Sequence, residues 1–331
     1  MPTTTRRAVH LLACAILVGA GSAVTPLSLV STAWPPFTNV AGQPRFALDL
    51  VEKAFGRIGV IAKTTIVDAA QFTPSLLDPE FDGSAAAWKD PERERLLLFS
   101  QPYLENRLVL IGPHGADVSA ASLSELKGKR VAVVGGYSYG DGIEGAGPIF
   151  VRSTGEEDSL ARLLTGAVDY TLMDDLVVQY IVSNYPSEAA TRLQIGSTTL
   201  VRRELYLALR RSHPDASRII ERFNAQLRGM IADGTYHRLL HVDWIRADIN
   251  GDGVAEYVPR SDRPRPAEPK QIYTLFTTPE AVKASPETPG FYVGGNIYRD
   301  WASVPASYKD SSTSQRPDPR RSTGTVFRFV W

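Results

Sequence analysis

An α/β architecture of two lobes with mostly parallel sheets, followed by a small appendage, is what this sequence predicts, and three observations predict it. Segments with strand and helix signatures alternate from residue 26 to about residue 240, the pattern of layers built around mostly parallel strands. The 331 residues exceed the usual span of one domain, and 43% hydrophobic content lets the chain bury a sizeable core. From Ile245 onward the character changes, with Pro-Arg-Pro repetition at Arg263 to Pro266, scattered Ser, Thr and Pro, and aromatic patches around Tyr273, Phe291-Tyr292, Trp301 and Phe327 to Trp331. Those aromatics argue against simple disorder, so residues 245–331 read as an appendage packed on one lobe.

The first 23 residues have the layout of a secretory leader: Arg6 and Arg7, an apolar run from Ala8 to Val18, then small residues through Ala23. The run is shorter than the roughly 20 residues a spanning helix needs. Export to the periplasm, with cleavage after Ala20 or Ala23, is therefore expected. The lone cysteine, Cys14, lies inside the run; lipoprotein processing there is a minor alternative, because it leaves too short an apolar segment ahead of the cysteine. Once the leader is removed the chain has no disulfide, thiol nucleophile or thiolate metal site.

The mature chain begins with an apolar strand, Pro26 to Phe37, that runs into Pro35-Pro36 and leaves Trp34 extended at the strand end. Leu50, Val51, Ala54, Phe55 and Ile58 recur at helical spacing over Phe46 to Ile58, Gly59 stops that helix, and the β-rich Val60 to Val67 follows. Arg107 to Ile111, Arg130 to Val134, Val168 to Met173 and Leu205 to Leu209 are strand-like, while Glu157 to Leu164, Leu176 to Asn184 and Asp215 to Ala232 read as helices. No tandem repeat interrupts the alternation.

Thirty-six basic residues balance 36 acidic ones, so no global field draws the chain to nucleic acid or an anionic membrane. No Walker loop is present, and the segment Leu126 to Tyr139 is not a Gly-x-Gly-x-x-Gly fingerprint, which leaves nucleotide binding there unsupported.

The most specific stretch is Lys89-Asp-Pro-Glu-Arg-Glu-Arg-Leu-Leu-Leu-Phe-Ser-Gln-Pro-Tyr103, in which Arg93 stands six residues before Phe99. Its order and spacing resemble the signature of the bacterial extracellular solute-binding proteins of family 3, which capture amino acids for ABC importers. The resemblance covers about residues 25 to 244. It implies a type 2 periplasmic-binding fold with a two-strand hinge, the chain entering the second lobe near Tyr103 to Ile111 and returning near Ser197 to Leu207. Lobe 1 is then expected at 24–105 and 203–244, lobe 2 at 106–202, and the extension at 245–331.

By that resemblance Arg93 clamps the ligand carboxylate, a task suited to the planar donor fork of a guanidinium; Arg95, off the spacing, is structural. Asp174, in Gly166-Ala-Val-Asp-Tyr-Thr-Leu-Met-Asp-Asp175, matches the acid that takes the α-ammonium, and Asp169 the structural aspartate before the strand. The alternative for Asp174 is a cap on the helix that follows. The segment Leu126 to Tyr139 resembles the opening of the second lobe, where a strand ends in glycine and a helix N-terminus offers N–H groups to an anion; Gly136 and Ser138 fit those roles. Ser84-Ala-Ala-Ala-Trp88 departs from the family's hydroxyl-rich strand end, and Tyr137 and Tyr139 replace small or amide residues. With Trp34 and Trp88 these make an aromatic pocket suited to an apolar or cationic group.

In the extension, Asp248-Ile-Asn-Gly-Asp-Gly-Val-Ala-Glu256 places oxygens at alternate positions with a glycine for the turn, as calcium loops do. Asp248, Asn250, Asp252 and Glu256 are the side-chain candidates and Val254 the backbone one; a plain turn is the alternative. His237 and His241 lie one helical turn apart but read as surface residues, since no third ligand is evident.

The function expected is hinge closure on a small carboxylate-bearing solute, by a monomer that hands it to an ABC permease and requires no cofactor, calcium aside. Two rivals remain: a dehydratase-like enzyme on the same scaffold, with Glu105 or Asp175 as its acid, and a sensory or scaffolding module that binds a protein through the extension.

Overall fold

The computed structural model describes residues 26–140, 143, 145–250, 252–261, 265–269, 273–274 and 289–310. The expected leader at 1–23, with Cys14, and the aromatic end at Phe327 to Trp331 lie outside them.

β1 (Leu27–Thr32) is nearly fully buried, and it lies parallel to β2 (Ala62–Val67) in register from Leu27–Ala62 to Thr32–Val67. Between them α1 (Phe46–Arg57) turns Phe46, Leu50, Val51, Ala54 and Phe55 into the core, as its spacing predicts. Next come α2 (Ala69–Leu77), the buried β3 (Gly83–Trp88), α3 (Pro91–Leu96) and β4 (Leu97–Phe99). The second half contains β5 (Leu104–Pro113), β6 (Arg130–Val134), β7 (Ile149–Ser153), α4 (Glu156–Leu164), β8 (Tyr170–Asp174), α5 (Asp175–Asn184) and α6 (Pro186–Arg192). The chain returns through β9 (Leu193–Arg210) and finishes the first half with α7 (Ala216–Ala232) and α8 (Thr235–Leu240).

β9, 18 residues long, decides the topology. Its first part runs antiparallel to β5, from Pro113–Leu193 to Leu104–Leu205, and its last part antiparallel to β3 and β4. The two lobe sheets are therefore not separate: β5 and β9 belong to both and join them into one path, β2-β1-β3-β9-β5-β8-β6-β7, with β4 on β9. Pairing is parallel within each lobe, between β1, β2 and β3 and between β6, β7 and β8. It is antiparallel where the hinge strands enter.

The extension forms a second sheet in the order β12-β10-β11-β13-β14, from β10 (Trp244–Ala247), β11 (Glu256–Pro259), β12 (Tyr273–Thr274), β13 (Phe291–Val293) and β14 (Asn296–Tyr298). Trp244, Phe291, Val293 and Val304 make its small core, while Ile245, Ala247 and Val258 merge with the main one. His237 is not on the surface: it is fully buried, and its Nε2 meets the Val258 carbonyl at 3.2 Å where the extension packs on α8. Among the described residues no helix is long and apolar enough to cross a membrane.

Candidate ligand cleft

Four aromatic side chains meet where the lobes face each other. Trp34 follows β1, its backbone tied down by the bond from its N–H to the Thr38 carbonyl at 2.8 Å, and Trp88 ends β3. Tyr137 and Tyr139 come from the turn after β6 in the opposite lobe. Ring centres are 5.6 Å apart for Trp34–Trp88, 5.7 Å for Trp34–Tyr137, 5.6 Å for Trp88–Tyr137 and 5.3 Å for Trp88–Tyr139, mostly edge to face, the geometry that aromatic quadrupoles favour. The expected aromatic pocket is thus assembled from both lobes.

Arg93 is buried at the base of this cluster. Asp90 caps α3 by accepting from the Arg93 N–H at 2.8 Å and faces the Arg93 Nε at 3.3 Å. Nη1 donates to the Trp88 carbonyl at 2.8 Å, and Nη2 to Thr73 Oγ1 at 2.8 Å and to the Gly136 carbonyl of the other lobe at 3.5 Å. Burial lowers the guanidinium's pKa, opposed by Asp90. Arg95 is exposed.

Further bonds cross the crevice. Thr32 Oγ1 and the Tyr137 hydroxyl share a hydrogen bond of 3.0 Å, and Thr73 donates to the Gly136 carbonyl at 2.9 Å. Gly136 has φ +79°, and a Cβ there would sit 2.7 Å from the Ala69 carbonyl, so only glycine admits so close an approach. The cavity left between Trp34, Phe72, Trp88, Arg93, Tyr137 and Ser138 measures about 20 Å³, room for about one water and far too little for an amino acid. The lobes are closed on their own side chains. Two wider grooves, of about 630 and 580 Å³, flank the hinge strands and do not include Arg93.

The helix expected after Gly136 is not formed among the described residues before β7: residues 135–140 make a turn and irregular backbone. Among the described residues no helix N-terminus follows Gly136, and Ser138 lines the cavity from irregular backbone. Asp174 takes the capping role: its Oδ1 accepts the Leu176 N–H at 2.8 Å, and its Oδ2 accepts the Arg107 N–H at 2.9 Å and Asn106 Nδ2 at 3.0 Å. Asn106 Oδ1 in turn accepts from Trp88 Nε1 at 2.7 Å, so Asp174 reaches the cleft through Asn106 and Trp88. Burial, then the neighbouring Asp175 charge, raises the Asp174 pKa well above the carboxylate range. Asp169 accepts from the Arg130 N–H at 2.8 Å and anchors β6, the structural task expected of it. The two acids considered for an enzyme are ion-paired, Glu105 with Arg202 at 2.6 Å and Asp175 with Arg107 at 3.0 Å.

Sequence reasoning missed Glu156. It opens α4, is 8% exposed, and its Oε2 has no hydrogen-bond partner. Burial pushes its pKa up to about 8. The Trp34 indole N–H, 5% exposed as a residue and equally without a partner, faces the carboxyl closely enough to favour its charged form but does not meet it in a well-formed bond. Gly155-Glu-Glu-Asp158 looks like an ordinary acidic helix start, and nothing in it marks which acid turns inward.

In the extension, Asp248 Oδ2 accepts the Gly253 N–H at 2.9 Å, Asn250 Oδ1 the Asp252 N–H at 3.1 Å, and Asp252 Oδ1 the Val254 N–H at 2.8 Å. Glu256 is 3% exposed and its Oε2 is unpartnered. Its pKa is raised by burial first, then by the charges of Asp252 and Asp248. Among the described residues no three His, Cys, Asp or Glu side chains lie close enough to hold a metal ion.

Comparison with known proteins agrees with this geometry. Residues 28–246 match the bacterial extracellular solute-binding proteins, family 3, and the chain belongs to that family. It is 24% identical over 216 residues to ABC transporter arginine-binding protein 1 of Escherichia coli (strain K12), a match covering 63% of this chain and 86% of that protein. Among solved structures, a mutant of ArgBP from T. maritima is 26% identical with a TM-score of 0.54, over 65% of this chain and 93% of that one. An ancestral arginine-binding protein bound to arginine is 25% identical with a TM-score of 0.56, over 66% and 97%. The fold is the two-lobe type 2 periplasmic-binding fold, and the family's role is to bind solutes.

Proposed function

We propose that this chain captures a carboxylate-bearing amino acid, arginine being the first candidate, in the periplasm for an ABC permease. The observation that carries the reading is the Arg93 guanidinium at the base of a crevice walled by both lobes, six residues before Phe99 as in the family signature. The relatives' names supply the amino-acid class. A solute enters when β5 and β9 let the lobes part and the bonds that Arg93 and Thr73 make to Gly136 open. Residues 1–23 serve as a cleaved export leader, and the receptor works as a monomer.

Calorimetric titration with L-arginine tests the reading. Arg93→Lys should weaken binding although it keeps the charge, because an ammonium lacks the paired planar donors. Arg93→Ala should lower affinity by roughly one and a half to three and a half decades, the loss expected when one partner of a desolvated charge pair is removed. Arg95→Ala should do far less. Equal losses at 93 and 95, or none at 93, sink the assignment of Arg93.

The Asp248 to Glu256 loop belongs to the same proposal as a calcium site. Its support is the order of the oxygens together with the buried, unpartnered Glu256 Oε2 against Asp252 and Asp248; an ion must draw these groups inward. A second reading, a dehydratase-like enzyme, draws on one observation: Glu156 is a buried acid protonated at neutral pH. Incubation with a prephenate-like acid that leaves the substrate intact decides against it.

A further inference from the structure

We infer that Glu156, faced by Trp34, forms the subsite for a positively charged side-chain end of the captured solute, a guanidinium or ammonium group; the inference rests on the capture reading above. Buried polar groups are nearly always hydrogen-bonded. Here two buried groups from opposite lobes, the Glu156 Oε2 and the Trp34 indole N–H, have only a loose contact with each other and no well-formed hydrogen bond. Replacing such a carboxyl by an apolar side chain would favour the fold, so stability does not explain its presence at the crevice.

The chemistry that would satisfy it is narrow. A second anion is repelled, and an apolar group leaves the oxygen without a donor. An organic cation supplies both charge and N–H donors, and the Trp34, Trp88 and Tyr137 rings beside it offer π faces that attract a cation. Asp174, the other acid near the cleft, is fully buried and already accepts three hydrogen bonds. That leaves Glu156 as the buried acid, beside Trp34 of the cavity wall, whose oxygen still lacks a donor.

In the closed, empty cleft burial holds the Glu156 carboxyl protonated at neutral pH. Taking up a cation then requires that Glu156 release its proton. The groups facing it are the Trp34 indole from the first lobe and the Tyr137 and Tyr139 phenols of its own lobe, both of which feel its charge, with Arg152 of β7 acting on Tyr139.

The test titrates wild type and Glu156→Gln with L-arginine and with L-citrulline, its neutral isostere, at pH 6, 7 and 8. Wild type should prefer arginine by at least about thirtyfold, and Glu156→Gln should shrink that preference to within about threefold, as loss of a desolvated charge partner predicts. The wild-type affinity for arginine should climb by up to about tenfold per pH unit over this range, because the competing proton is lost, and should stay flat in the variant. Glu156→Asp, which keeps the charge, provides a second variant, and melting curves verify that each folds. An arginine preference that survives Glu156→Gln, or an equal loss for both solutes, overturns the inference while leaving capture intact. Failure of wild type to bind either solute removes the capture reading and the inference with it.

Discussion

At Glu156 the energetic cost of burial can be measured apart from any ligand. Its carboxyl titrates near 4.5 when solvated and at about 8 in the fold, so between those values the folded chain binds a proton that the unfolded chain does not. Stability therefore falls as pH rises through that window, since it rises with pH only where the unfolded state binds more protons. Glu156→Gln removes the penalty. The variant should match wild type near pH 4 and exceed it by on the order of 3 to 5 kcal/mol at pH 8.5, at about 1.4 kcal/mol per pKa unit. Denaturant melts at the two pH values decide it, and a difference independent of pH would show that the carboxyl is solvated. Arg93 is legible in the sequence because its spacing to Phe99 lies in the chain itself. Glu156 is not: Glu156, Glu157 and Asp158 are equivalent helix-start acids in sequence, and only the packing of α4 turns the first inward and leaves the second exposed. Asp174 shows the reverse case, a residue whose position is legible while its partners, Asn106 and the Arg107 N–H, depend on the pairing of β5 with β8.

The elements divide along the same physical line. β6 is found at Arg130–Val134 as its apolar run predicts, and α1, α4, α5 and α7 begin within a residue of the expected positions because their faces repeat at helical spacing. β3 is marked in the sequence only by the resemblance, as the strand end before Arg93, because Gly-Ser-Ala-Ala-Ala-Trp has no β-branched residue. It is a strand because its neighbours make it one, buried at all six positions, with Gly83 where a Cβ would overlap the Ala208 carbonyl. Residue pattern marks β9 only at Leu205 to Leu209 and the resemblance places its return near Ser197 to Leu207, since its earlier half, rich in polar residues, is ordered by pairing with β5 rather than by burial. The loop between β10 and β11 carries its own prediction. Calcium at millimolar concentration should raise the melting temperature, and Asp252→Ala should abolish the rise, because a ligand of the folded state alone stabilises it by about 2.7 kcal/mol at a hundredfold excess over Kd. Identical melting curves in calcium and in chelator would remove the site.

For the molecule as a whole, the closed arrangement poses a question of equilibrium, because a cleft with about 20 Å³ of free space holds no solute until it opens. Three interactions span the lobes around it: Thr32 with Tyr137, Thr73 with the Gly136 carbonyl, and Arg93 with the same carbonyl. Each net hydrogen bond is worth about 0.5 to 1.5 kcal/mol. Thr32→Val should accordingly shift the open-to-closed ratio of the empty protein by about two- to tenfold. Gly136→Ala should shift it further, since its Cβ cannot coexist with the Ala69 carbonyl at 2.7 Å. Opening exposes Trp34 and Trp88, both 5% accessible when closed, so acrylamide should quench tryptophan fluorescence more strongly in both variants than in wild type. Small-angle scattering should report a larger radius of gyration for Gly136→Ala. A solute that closes the lobes must first replace these contacts with better ones, because a ligand shifts a two-state equilibrium only by its differential affinity for the two states. Saturating arginine should therefore return Thr32→Val to wild-type quenching. Unchanged quenching in both empty variants would show that the lobes are held together elsewhere, along β5 and β9 themselves, and that the cleft does not open by parting at these contacts.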